Sequence, residues 1–208
     1  MFSFRAPLTA LALVLCGSAS TAHAGARVTL DAPNGLETLA ITAAPGGGFA
    51  LVAQELVPYD GGTDPRVHVF RYEDNGRLRW ERVIDRRGPQ IARAITYGPG
   101  EILYVAGLDG SELTENGYQS MLVGFGPGGD VVKDDVFGEP APAEDFLSGI
   151  GLAPGGDFFV SGRLKATPEG TADMQVMQLT GDGDIVWSLT EKNGSKESYP
   201  IVVSGPSG

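Results

Sequence analysis

Beyond its first 24 residues the chain has no cysteine and a single histidine, His68. Without thiols there is no disulfide, no thiolate nucleophile, no iron–sulfur ligand and no cysteine-based zinc site, so stability must come from packing and sheet hydrogen bonds. A lone histidine leaves histidine-rich metal catalysis without ligands. Basic residues are scarce as well: 15 Lys and Arg stand against 26 Asp and Glu, for a formal net charge of −11. No basic stripe offsets that charge, and a surface of this sign is repelled by phosphate backbones, so nucleic acid is not an expected partner. No apolar run approaches the roughly 20 residues that a membrane-spanning helix needs. The motifs of common enzymes are missing too. There is no G-x-S-x-G, and the Pro-Gly-Gly-Gly run at 45–48 lacks the Gly-Lys-Ser/Thr that follows in a phosphate loop.

The first 24 residues read as an export signal. Arg5 is their only charge, an apolar core follows, and Ala22-His23-Ala24 supplies the small-x-small pattern of a cleavage site. Cleavage would leave Gly25 at the N-terminus of a chain one charge more negative. Leu13-Val14-Leu15-Cys16 is a poor lipidation signal, because Leu15 stands where a small residue is wanted. The expected location is therefore secreted or periplasmic, with a lipoprotein as the lesser alternative.

What the chain does have is punctuation: 31 glycines and 14 prolines between short runs of Val, Ile, Leu, Phe and Tyr. That composition suits many short strands joined by turns. The strands also repeat. LAITAAPGGGFALVA at 39–53 returns as RAITYGPGEILYVAG at 93–107 and as SGIGLAPGGDFFVSG at 148–162. This alignment matches Phe49, Ile102 and Phe158, and likewise Val52, Val105 and Val160. A second element recurs at 67–83, 120–136 and 174–189, each reading as strand, tight turn and strand. Its turn glycines are Gly76, Gly129 and Gly183. Trp80 and Trp187 lie four residues after theirs, where the middle copy has Lys133.

Each unit is thus expected to contain four strands, at 38–43, 48–55, 66–72 and 77–84, then 91–97, 101–106, 118–125 and 130–137, then 147–152, 157–164, 174–179 and 184–189. Glycine serves the turns because it accepts positive φ without a steric clash. The repeats run over about 36–88, 89–142 and 143–197. A fourth begins at 198–208, where Val202-Val203-Ser204-Gly205-Pro206 matches Ile95-Thr96-Tyr97-Gly98-Pro99. The connections between second and third strands, 57–65, 109–117 and 165–173, are polar and similar in length, and should emerge together on one rim.

A four-stranded unit of about 54 residues, opening on strand-Pro-Gly-Gly-strand and closing on turn-then-tryptophan, resembles the bacterial exported β-propeller repeats of the quinoprotein-like type. The resemblance spans the whole exported chain through degenerate motifs: residues 39–53 with Trp80, 93–107, and 148–162 with Trp187. It implies an all-β partial β-propeller of about three four-stranded antiparallel blades, used for scaffolding or docking. Some members bind a quinone or carry enzyme activity, but no residues here correspond to a quinone site, and no cofactor is expected.

Closed propellers need four to eight blades. Three blades form an arc, to be completed by further blades outside the chain, by oligomerisation or another protein, or by terminal strands at 27–30 and 198–203. An uncovered blade face invites association, so a homo-oligomer or a partner is expected.

No catalytic or metal residue stands out. The acidic turn at 180–184 lacks the twelve-residue oxygen pattern of a helix-loop-helix calcium site. A glycosidase pair of carboxylates can always be drawn among 26 acidic residues and so distinguishes nothing. Trp80 and Trp187 read as packing residues near a blade edge. The candidate ligand-contacting residues are the acidic ones of the second-to-third-strand rim: Asp60, Asp64, Asp109, Glu112, Glu169 and Asp173. The expected function is a noncatalytic interaction module that binds a protein or carbohydrate through its loop rims; the alternative is a fragment of a propeller enzyme such as a hydrolase, with further blades completing its site.

Overall fold

The glycine turns repeat down to their hydrogen bonds. In the first unit Glu73 N–H donates to Arg77 O and Gly76 N–H to Glu73 O. Gly126, Asp130 and Gly129 make the same pair of bonds in the second unit, and Thr180, Asp184 and Gly183 in the third. Gly76, Gly129 and Gly183 have φ of 80°, 83° and 90°, the left-handed conformation that a three-residue hairpin loop with a glycine bulge requires. The structure, a computed structural model, describes residues 28–30, 32–59, 62–86, 88–110, 118–137, 145–153, 155–164 and 173–191. The proposed signal segment and the proposed fourth repeat lie outside them.

These turns join twelve strands among the described residues into three antiparallel sheets, each in simple sequential order. The first blade holds β1 (Leu36–Ala43), β2 (Phe49–Tyr59), β3 (Gly62–Tyr72) and β4 (Leu78–Ile84). The second holds β5 (Gln90–Tyr97), β6 (Leu103–Asp109), β7 (Gln119–Phe125) and β8 (Val131–Phe137). The third holds β9 (Phe146–Leu152), β10 (Phe158–Leu164), β11 (Asp173–Leu179) and β12 (Ile185–Glu191). Together they form a partial, open β-propeller. Residues 28–30 form no strand; Val28 and Leu30 pack instead on the outer face of the first blade.

Strand pairing corrects the repeat alignment by one residue. Phe49 pairs with Ala43, Leu103 with Tyr97 and Phe158 with Leu152, so Leu103, not Ile102, is the counterpart of Phe49. Leu51, Val105 and Val160 then correspond through their partners Ile41, Ile95 and Ile150, and Val52 falls out of that set. A one-residue slip in a strand moves every side chain to the other face, and here the faces differ in role. Leu103 and Val105 face the first blade within one core cluster, whereas Tyr104 and Ala106 face the third within another.

The cores lie between blades. Ala50, Val52, Val67, Val69 and Trp80 from the first blade meet Ala92, Ile95, Leu103, Val105, Met121, Val123 and Phe125 from the second. Tyr104, Ala106 and Leu122 from the second meet Leu147, Ile150, Phe158, Val160, Met177 and Leu179 from the third. The first strand of each later blade makes the junction: β5 packs on β1, β2 and β3, and β9 on β5, β6 and β7.

The second correction concerns the first blade's rim. β2 and β3 do not separate at residue 57. They stay paired through Leu56–Pro65, Val57–Asp64, Pro58–Thr63 and Tyr59–Gly62, so most of the expected loop is a paired hairpin arm; residues 60 and 61 lie outside the described residues.

Candidate functional site

Of the six acidic residues expected on the rim, the three that are described are buried or half-buried. Asp60, Glu112 and Glu169 lie outside the described residues. Asp64 sits within β3, half-buried, opposite Val57 in the arm. Asp109 is the last residue of β6 and 2% exposed. Arg86, from the segment joining the first two blades, donates to both Asp109 and Asp134. Gln90 donates to Asp109 at 3.4 Å and accepts from the Arg86 backbone N–H at 3.2 Å. Asp109 therefore anchors the inter-blade connection. Asp173 opens β11 and is 7% exposed. Neither is a loop-tip residue, because the strands begin and end on them.

The arm is the feature of this rim that loop length alone conceals. Leu56 is 48% exposed, Pro58, Gly62 and Thr63 are exposed, and Val57, Asp64 and Pro65 are half-buried. β1 pairs no further along β2 than Glu55, and β4 no further along β3 than Val67, so the arm projects beyond both neighbours. Pro58 and Pro65 remove two backbone donors from it, a common guard against indiscriminate strand pairing. The Asp60-Gly61 pair that follows the apolar run Leu56-Val57 is a turn dipeptide, and it was the sequence signal for this hairpin.

His68 lies on the first blade's outer face between two carboxylates. Its Nδ1 is 2.9 Å from Glu81 Oε1 and its Nε2 is 3.1 Å from Glu55 Oε2. Asn34 donates to the other oxygen of Glu55 at 3.0 Å. The ring uses its two nitrogens in opposite directions, so the three groups do not converge on a point that could hold an ion. Among the described residues no group of three His, Cys, Asp or Glu side chains is placed to hold a metal.

A cleft between the first two blades is lined by Arg71, Arg79, Trp80, Tyr97, Glu101 and Pro127 and has a volume of about 10 Å³. That is room for one water molecule. Tyr97 presents to it a buried hydroxyl without a hydrogen-bond partner. Burial pushes the Tyr97 phenol up to about 12, with nearby Arg71 pulling the other way. The hydroxyl is thus held neutral over the physiological range, and the cleft is too small to admit a substrate.

Trp80, Lys133 and Trp187 share one position, opposite Arg71, Gly124 and Gln178 respectively. Trp80 packs on Phe125 at 5.9 Å between ring centroids and donates from Nε1 to Pro127 O at 3.1 Å, in the turn of the next blade. A Cβ on Gly129 of that turn would come within 2.9 Å of the Trp80 ring. Lys133 repeats the contact with charge. It reaches the next turn at Gly183, ion-pairs with Asp184 at 3.7 Å, and pairs with Asp135 on its own strand at 2.8 Å. These carboxylates raise its pKa, the Asp135 hydrogen bond most. Trp187 meets no such turn among the described residues. It is 41% exposed and bonds within its own blade, to Gln178 at 2.5 Å. Packing near a blade edge describes Trp80; at Trp187 the same device is half-open to solvent.

Fold and geometry together define an open arc of propeller-like blades, the first two carrying on their outer strands a residue that grips the next blade's turn. Comparison with known proteins adds little to that class. No protein-family model matches the chain, and no curated protein does. A crystal structure of a eukaryotic initiation factor resembles it over 74% of this chain at 9% identity, with a TM-score of 0.19. The chain spans 55% of the length of that protein, and the likeness is too slight to carry an argument.

Proposed function

We propose that this chain is an exported, noncatalytic interaction module that engages a protein through the rim bearing the β2–β3 arm. The observation that carries the reading is the arm itself, a paired hairpin that projects past both neighbouring strands with Leu56 exposed. A preformed hairpin binds with little ordering cost, which suits recognition by side chains on a rigid support. The export signal read at residues 1–24 supports a secreted or periplasmic location, and no helix among the described residues is long and apolar enough to cross a membrane. The kinship with exported quinoprotein-like repeats belongs to the same proposal and rests on the repeat motifs alone.

Site-specific photocrosslinking tests it. A photoreactive residue at Leu56 or Thr63 should capture one discrete protein in the producing cells, and excess unlabelled protein should abolish capture. The same probe at Val132, exposed on β8, should capture none. Equal capture from all three sites would overturn the rim assignment, and specific retention on a glycan panel would replace protein by carbohydrate.

The runner-up is a propeller enzyme whose site is shared with further blades. It is favoured by His68, placed between two carboxylates on the first blade's outer face. Turnover of a hydrolase substrate lost on His68→Ala would establish it.

A further inference from the structure

The third blade leaves open a face that the other two blades cover. Following the strand register, Ala50, Tyr104 and Phe159 correspond, as do Val69, Leu122 and Val176. Ala50, Tyr104, Val69 and Leu122 are all at most 1% exposed, whereas Phe159 and Val176 are only half-buried. β7, in the covered second blade, is buried at every residue but its first, while its counterpart β11 is only half-buried at four of its seven residues. Phe159 has the Trp187 ring beside it at 6.1 Å, whereas Tyr104 reaches across to the next blade, packing on Phe158 and donating to Gly181 O.

What covers such a face at the other two junctions is the first strand of the following unit, and that strand carries a signature. Each first strand has one unpaired bulge residue: Leu39 between Thr38 and Ala40, Arg93 between Ala92 and Ala94, and Ser148 between Leu147 and Gly149. Each bulge lies six residues before the turn proline, at Pro45, Pro99 or Pro154. Six residues before Pro206 stands Pro200. Proline cannot donate to a ladder and is confined within sheets to edges and bulges; each first strand is an edge strand of its sheet. The bulge is therefore the place in this strand where proline fits best.

The bulge also fixes which side chains face the preceding blade. Ala92 and Ile95 do so from β5, at 0% and 8% exposure, and Leu147 and Ile150 from β9, at 0% and 7%. Counted back from the proline, their counterparts are Tyr199 and Val202. In the first blade, which has no described blade before it, the matching Ile41 is 40% exposed.

We propose that residues 199–204 form a strand with Pro200 at its bulge, laid across β9, β10 and β11 so that Tyr199 and Val202 cover Phe159 and Val176. This assignment stands apart from the rim proposal, since the two surfaces are different. The test is nuclear magnetic resonance on the whole exported chain. Nuclear Overhauser contacts should run from the Val202 methyls to the Phe159 ring and the Val176 methyls, with none from Val203. Val202→Asp should abolish them and shift the Phe159 and Val176 signals, while Val203→Asp, facing away, should leave them in place. Random-coil shifts without contacts at Val202 would overturn the proposal, as would contacts made by Val203 instead, because that means the opposite face is buried.

Discussion

Glu101 occupies the one non-glycine position with positive φ among the described residues, at 59°. Two residues past the turn proline, the first and third repeats place Gly47 and Gly156, with φ of 102° and 96°. The left-handed region costs a residue with a Cβ about 1–2 kcal/mol, partly offset because glycine gains more freedom when unfolded. Glu101→Gly should therefore stabilise the protein by up to about 1 kcal/mol, raising the thermal midpoint by roughly 2–4 °C. A lower midpoint would mean that the carboxylate beside Arg71 and Arg79 outweighs the strain. At Asp109 the expected sign is opposite. Removing a buried carboxylate that holds Arg86 should cost roughly 2–3 kcal/mol, below the usual loss for a broken buried pair because Arg86 keeps Asp134. Urea unfolding of Asp109→Ala measures it, and an unchanged midpoint would return Asp109 to the pool of ligand-binding candidates. The sequence showed Asp109 as one more acid beside a polar segment; its burial depends on Arg86, 23 residues away, and no local pattern announces such a partner.

At the scale of elements, the repeat was legible because turn chemistry is local. Gly76, Gly129 and Gly183 mark their hairpins by the same φ and the same hydrogen bonds, and most expected strands begin and end within two residues of the observed ones. Register was less legible. Aligning Val52 with Val105 put residues of opposite faces together, since both neighbours of each are apolar and alternation gives no warning when a strand is buried on two sides. The arm escaped because its tip looks polar and its strands contain Pro58 and Pro65, residues that usually argue against a strand. It should be separable from the core. Joining Glu55 to Arg66 through an Asn-Gly turn is expected to change the unfolding free energy by less than about 1 kcal/mol, with the far-ultraviolet spectrum losing only the arm's strand signal. A loss of several kcal/mol would show that the arm supports the blades and would weaken its reading as a recognition element.

Among the described residues the molecule is a chain of junctions: two of its core clusters form between blades, and a third lies on the outer face of the first blade. Trp80 and Lys133 close their junctions onto the next blade's glycine turn, and Trp187, the same part, meets no such turn among the described residues. The sequence displayed the recurrence of this position, but whether a neighbour occupies it is a property of the assembled arc. Among the described residues nothing grips Trp187 as the next blade's hairpin turn grips Trp80 and Lys133. The most direct test is hydroxyl-radical footprinting of the two tryptophans in the isolated chain. The open arc predicts rapid oxidation of Trp187 and strong protection of Trp80, which is 8% exposed; equal protection of both would contradict it by showing that the third blade's outer face is already closed.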